Sequence, residues 1–313
     1  MKWYELTLIL FLGFNLFFVI FVIPFVVYLV LLVRTSKTKW QRGCSMPEDE
    51  TQNKIFSIGM DWYKDNESFV KEVHIKNGKY NLYGQYFDFG YDKSVIILPG
   101  RMESLMYSYF FASPYKKAGY NVLTIDQRSH GLSDGIFNSL GYLEHEDTIC
   151  WAKFLKEEFA MNKVVLHGIC IGASNATFTV TSQKCPDNIK AVVTEGMYVN
   201  FYQSCKNHMI SDKRIVFPTC QMICFYLWLF TGLNAFSNGP LRCMNKMKLP
   251  ILMLQSKEDK FSLVERATQL FDKCTSEVKD IVYFEKGEHS RIRLVNQEKY
   301  DQSIIDFLKK EVR

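Results

Sequence analysis

The chain has 313 residues, of which 48% are hydrophobic, and a formal net charge of +5. This composition fits a globular protein joined to a membrane segment, with no internal repeat or low-complexity tract. The positive balance comes partly from a cluster beside an apolar N-terminal run. No basic patch interleaved with aromatic residues accompanies it, which argues for anionic headgroups and against nucleic acid as the partner.

From Leu6 to Val33 there is no charged residue and a single proline, Pro24. The run is long enough to span a bilayer with some tilt, and Trp3 and Tyr4 stand where interfacial aromatics belong. It is too long for a signal-peptide core, and no small-x-small cleavage site follows it. Residues 1–34 therefore read as one transmembrane anchor. Arg34, Lys37, Lys39 and Arg42 follow it, against Lys2 and Glu5 before it. The positive-inside rule then predicts a single-pass membrane protein with a cytoplasmic catalytic domain. Nine cysteines, an odd number without paired spacing, agree with a reducing compartment. Asn66-Glu67-Ser68 is a glycosylation sequon, a tripeptide common by chance.

Residues 35–66 are polar and read as a juxtamembrane linker running into a short helix. After them Val73 and Ile75 alternate with polar residues, Asn77-Gly78 marks a turn, and Tyr80 to Phe87 is rich in aromatics, which together signal a hairpin. Short apolar runs follow at Ser94–Leu98, Asn121–Ile125, Lys163–Leu166, Ala191–Thr194, Ile251–Leu254 and Ile281–Phe284. Runs apolar throughout are expected of strands buried on both faces of a parallel sheet. Leu263, Ala267, Leu270, Phe271 and Cys274 share one helical face, as do Tyr300, Ile304, Phe307 and Leu308. The alternation predicts one α/β domain over 67–313, a mostly parallel sheet flanked by helices.

The segment between Thr194 and Ile251 is too long for a plain crossover. It contains an uncharged stretch, Val216 to Leu233. A second membrane span is disfavoured because the stretch is short and lies inside the α/β pattern. The reading is a helical cap at about 197–248 that makes an acyl-sized pocket or dips into the membrane surface.

One stretch carries the chemistry. Val164-Val165-Leu166-His167-Gly168-Ile169-Cys170-Ile171-Gly172-Ala173 runs as a buried strand into a turn between two glycines, then into small residues. Glycines flanking a central residue at minus two and plus two are what a strained strand-to-helix turn needs, the form of a nucleophile elbow with cysteine at its centre. Cys170 would then stand at a helix N-terminus, the setting of a reactive thiol rather than of a cysteine buried as a small hydrophobe. Ser174 lies one helical turn further on and would point away.

An acyl-transfer site also needs a base, a group to orient it and oxyanion donors. Asp259 follows the strand Ile251–Leu254, with Glu258 as the neighbouring alternative. His289 follows the last strand in a glycine-bearing loop. The order nucleophile, acid, histidine selects it, and the other five histidines do not fit. The oxyanion donors are expected to be the backbone N–H groups of Ile171 and Arg101. No Walker loop, dinucleotide fingerprint or zinc-spaced cysteine set is present, so neither a cofactor nor a metal is expected.

At this point the chain resembles the α/β-hydrolase superfamily over nearly all of residues 67–313. The resemblance rests on Pro99-Gly100, where the family usually has His-Gly, and on Asp126-Gln-Arg128-Ser-His130-Gly131-Leu-Ser133, like the family's Asp-x-Arg-Gly-His-Gly-x-Ser segment. Gly287-Glu-His289 and Glu258-Asp259 match its histidine and acid loops. Within the superfamily it is most similar to membrane-anchored bacterial hydrolases with one N-terminal helix, in the serine aminopeptidase or lysophospholipase-like group. Cysteine replaces the usual serine, as in dienelactone hydrolases. The resemblance implies a membrane-anchored acyl hydrolase of esterase, lipase or thioesterase type, acting on a small-molecule or lipid-like acyl substrate through Cys170, His289 and Asp259. Alternatives are a peptidase or acyltransferase of the same fold, or a catalytically inactive membrane-tethered binding module.

Overall fold

The computed structural model describes residues 2–312. Eight strands form one sheet: β1 (Val70–Asn77), β2 (Tyr80–Phe87), β3 (Ser94–Leu98), β4 (Asn121–Ile125), β5 (Val164–Ile169), β6 (Ile189–Glu195), β7 (Ile251–Ser256) and β8 (Lys279–Phe284). Their order is β1-β2-β4-β3-β5-β6-β7-β8. β1 and β2 pair antiparallel, β2 pairs antiparallel with β4, and every later pairing is parallel. The predicted hairpin is present, its two-residue loop entered through Gly78 at φ +58°. Each apolar run singled out in the sequence is a strand. β3, β4, β5 and β7 are buried along their whole length, which is why they read as apolar rather than alternating.

The helices that matter for the site are α1 (Trp3–Leu32), α2 (Glu50–Asn66), α3 (Glu144–Phe159), α4 (Ile171–Thr181), α5 (Phe201–Ser211), α6 (Thr219–Thr231), α7 (Val264–Lys273) and α8 (Gln297–Glu311). Two apolar layers lie against the sheet. One contains Val95, Ile97, Val165, Val193, Tyr300 and Ile304. The other contains Ile96, Leu98, Leu166, Val192, Trp151 and Ala176. Parallel strands with helices over both faces place the strand carboxyl ends at one edge, where sites form in such sheets.

α1 is long and apolar enough to cross a membrane. Length and composition alone would equally allow a signal sequence. Every residue from Trp3 to Val19 is exposed, whereas Pro24, Tyr28 and Leu32 are buried. A π-helical turn at Phe18–Val22 separates the two parts, just ahead of Pro24. Proline lacks an N–H and its ring crowds the carbonyl four residues back, so the ladder is disrupted there. The lower part packs on α6. Tyr28 stacks on Phe230 with ring centroids 5.6 Å apart, and Phe25 meets Tyr226 edge-on at 5.0 Å.

The helix expected at the end of residues 35–66 is present as α2, and it packs on the domain. α2 is N-capped by Asp49, whose carboxylate accepts from the Thr51 and Gln52 amides at 2.9 and 3.1 Å. Its Ile55 is fully buried against Tyr109 and Phe110. Asn66 of the sequon is also buried, its amide bonded to the Trp62 carbonyl and its oxygen accepting from Lys116, which leaves no face for a glycan.

Candidate active site

β5 leaves the sheet at Ile169, and Cys170 adopts φ +55°, ψ −111°, a conformation costly for any residue with a side chain. The flanking glycines make it possible. A Cβ on Gly168 would overlap the Gly172 carbonyl, and one on Gly172 would overlap the Leu98 carbonyl. The Cys170 amide is fixed by the Glu195 carbonyl at 2.9 Å. Its side chain stands at the N-terminus of α4, half-buried at the wall of a cavity of about 480 Å³.

His289 enters the same cavity. Its Nδ1 donates to Asp259 Oδ2 at 2.7 Å, and its buried Nε2 has no hydrogen-bond partner. The Asp259 carboxylate is held from the other side by the Phe261 and Ser262 amides at 2.8 and 2.7 Å. Burial pulls the His289 imidazole down, but the Asp259 carboxylate and the Cys170 thiol together outweigh it and hold the ring well above its ordinary value. The two loops are also tied together by Glu258, which accepts from the Gly287 amide at 2.8 Å. Glu258 thus contacts the histidine loop, while Asp259 contacts the ring.

Ile171 is the first residue of α4, so its N–H belongs to the unpaired donors of the helix start. Arg101 lies in the loop after β3 and lines the cavity. The amide beside it, that of Gly100, is occupied by the Glu103 carboxylate at 2.8 Å. Ser174 lies elsewhere, in a separate small pocket with Tyr198 and Phe178.

Three residues missed in the sequence shape the site. Gly196, at φ +61°, follows β6, and a Cβ there would come within 2.9 Å of His289 Cε1. His208, on α5, lines the cavity and lies 6.5 Å from His289 between ring centroids. Burial, with His289 and Arg101 adding to it, pulls His208 down to about 3, which keeps it uncharged beside the triad ring. Glu103 is the third. Burial pushes its carboxyl up to about 7 against the opposing pull of the Gly100 amide and Gln52. A glycine before a cap and a polar residue after Pro-Gly were the available signals, and both are faint.

The cavity has both charged and apolar side chains in its wall. Asp49, Gln52, Glu103, Lys260 and Arg291 line it, with Met46, Met102 and Phe261 as the apolar exceptions. Among the described residues no three His, Cys, Asp or Glu side chains converge as a metal site would require. All nine cysteines are free thiols.

Behind the elbow a buried polar group locks the strand ends together. Tyr300 donates to Glu195 at 2.6 Å, and its oxygen lies 3.2 Å from His167 Nε2. Since the Tyr300 proton is committed to Glu195, the His167 ring is the donor in that pair. Arg128 of the Asp126–Ser133 segment pairs with Asp147 of α3 at 2.6 Å. Asp126 accepts from the Leu105 and Leu132 amides, and these bonds brace the loops bearing the site.

No family model matches the chain. A curated relative, the uncharacterised protein YqkD of Bacillus subtilis, is 25% identical over 217 residues, covering 69% of this chain and 70% of that protein. Among solved structures, the Pyrococcus furiosus esterase Pf2001 is 25% identical with a TM-score of 0.64, covering 80% of this chain and 95% of its own. Mouse α/β-hydrolase domain-containing protein 10 is 14% identical with a TM-score of 0.56, covering 77% and 99%, a likeness of fold. With an eight-stranded α/β-hydrolase sheet, an elbow at its centre and these likenesses, the chain is a hydrolase of the α/β-hydrolase superfamily.

Proposed function

We propose that the protein is a membrane-anchored acyl hydrolase working through Cys170, His289 and Asp259 with a covalent thioester intermediate. The observation that carries this reading is that His289 and Cys170 line one cavity, with His289 Nδ1 held by Asp259 and its buried Nε2 left without a hydrogen-bond partner. With its proton passed to His289 Nε2, the Cys170 sulfur attacks the acyl carbonyl carbon, and the oxyanion is received by the N–H groups of Ile171 and Arg101. His289 then gives its Nε2 proton to the leaving alcohol. In the second half it takes a proton from the water that attacks the thioester carbonyl and gives it to the departing Cys170 sulfur, so that the C–S bond breaks, the carboxylic acid leaves and the thiol is restored. The esterase name of the Pyrococcus structure supports the same bond type.

The tether reading is supported by Tyr28 and Leu32, which are buried against the cap, so that cleavage of α1 would strip residues from the folded domain. The basic flank Arg34, Lys37, Lys39 and Arg42 supports a cytoplasmic domain. The test of the chemistry is turnover of short p-nitrophenyl esters by full-length protein. Cys170→Ala abolishes it. Cys170→Ser lowers it by about tenfold or more, because serine makes His289 act as a true general base. Full activity in Cys170→Ala would remove the nucleophile assignment and favour an inactive, tethered module.

A further inference from the structure

The last turn of α1 is bonded directly to the loop that bears Arg101. A helix C-terminus leaves carbonyls without intrahelical partners, and a buried one must find them elsewhere. Here Arg101 Nη1 donates to the Leu31 carbonyl at 3.0 Å, and Lys39 Nζ donates to the Leu29 carbonyl at 2.8 Å. The Asn138 amide donates to the Leu32 carbonyl at 2.9 Å, while its side chain donates to the Arg101 carbonyl at 3.2 Å. His130 Nε2 lies 2.6 Å from that same Arg101 carbonyl. Leu32 is fully buried in an apolar cluster that includes Ile171, and Cys170 packs against it. Both backbone donors assigned to the oxyanion thus sit on residues that the end of α1 touches or shares a cluster with.

We infer that the C-terminal turn of α1 is a positioning element of the active site, fixing the Arg101 and Ile171 N–H groups in register with Cys170, so that turnover requires the membrane helix to be seated. The inference rests on the acyl-hydrolase reading above. Oxyanion donors act only when placed within hydrogen-bond distance of the developing charge, and removing one outright costs about a hundredfold or more. Undocking the helix end displaces the donors without removing them, so the expected loss is smaller.

The test uses full-length protein in detergent micelles with p-nitrophenyl acetate. Leu32→Ala loosens the docked turn, Arg101→Met removes the bond to Leu31, and Arg101→Lys restores a cationic donor. Leu32→Ala and Arg101→Met are expected to lower kcat by about tenfold with KM within about twofold, and Arg101→Lys to recover most of the loss. Iodoacetamide labelling of Cys170 in Leu32→Ala should stay within about twofold of the wild-type rate, since the substitution removes neither the thiol nor its His289 and Asp259 partners. A merely structural defect would lower labelling and kcat together. If Leu32→Ala does not fold, the comparison of Arg101→Met with Arg101→Lys decides alone. An active wild type whose Leu32→Ala and Arg101→Met variants match it in kcat would overturn the inference and leave the hydrolase reading standing. A wild type that turns over no ester would bring down that reading, and this inference with it.

Discussion

His208 of the cap helix α5 lies flat on Phe261 of the acid loop, ring centroids 3.6 Å apart and planes 15° from parallel. Its neighbour Asn207 donates to the Phe261 carbonyl at 3.0 Å. The cap is therefore fastened to the residue two positions after Asp259, and the stack forms one wall of the cavity.

Removing that stack should loosen the wall without touching the triad. His208→Ala is expected to raise KM a few-fold, about the worth of one aromatic pair, and to leave kcat within about twofold. His208→Phe should keep the wild-type KM, because the ring and not its charge is used. Steady-state kinetics on a soluble ester checks both, and a collapse of kcat in His208→Phe would assign the imidazole a chemical role instead.

Gly196 sits at φ +61° with its missing Cβ directed at His289. Gly196→Ala forces a choice between backbone strain of about 1 kcal/mol and a displaced imidazole. The expected outcome is a drop in kcat of about tenfold or more with a melting temperature lowered by only a few degrees. A variant with normal kcat would show that the ring tolerates the displacement.

Glu103 gives a pH signature. Its ordinary value is 4.5, and burial raises it to about 7 in the folded protein. The folded state therefore holds that proton more tightly, so the stability this group contributes is complete below the unfolded value and is lost as pH rises towards 7. Glu103→Gln keeps an oxygen for the Gly100 amide and has no proton to lose. The variant should gain stability relative to wild type progressively between about pH 4.5 and 7. Melting temperatures across that range test this, and a constant difference would contradict it.

The docking of α1 sets where the chain can be cut. Removing residues 1–40 takes Tyr28, Leu32, Val33 and Trp40 out of buried positions. That domain should melt lower and aggregate, whereas a chain beginning at Ile23 keeps those contacts. Differential scanning calorimetry and gel filtration of the two compare them, and equal stability would return the lower part of α1 to the role of a plain tether.

These outcomes also show what a sequence does and does not carry. The central strands were readable because burial on both faces leaves only apolar residues in short runs, and Cys170, Asp259 and His289 stood out because each follows a strand end. α2 was read only as a short helix at the end of a linker, since its fully buried positions, Gln52, Ile55, Gly59 and Asn66, include a single large apolar residue. Asp49 as an N-cap was its one usable sign. The apolar residues of Val216–Leu233 suggested an acyl pocket, but Tyr226 and Phe230 turn towards α1, and Cys220, Ile223 and Leu227 pack within the cap cluster. His208 and Glu103 depend on contacts far along the chain, which no local pattern records.

The central claim is that Cys170 becomes acylated. Full-length protein is mixed with p-nitrophenyl acetate, quenched in acid within the first turnover and measured by intact and peptide mass spectrometry. The account predicts the mass of one acetyl group, mapped to the peptide containing Cys170, lost on longer incubation and absent in Cys170→Ala. An acetyl group on another residue, or turnover that persists in Cys170→Ala with no adduct, would contradict it.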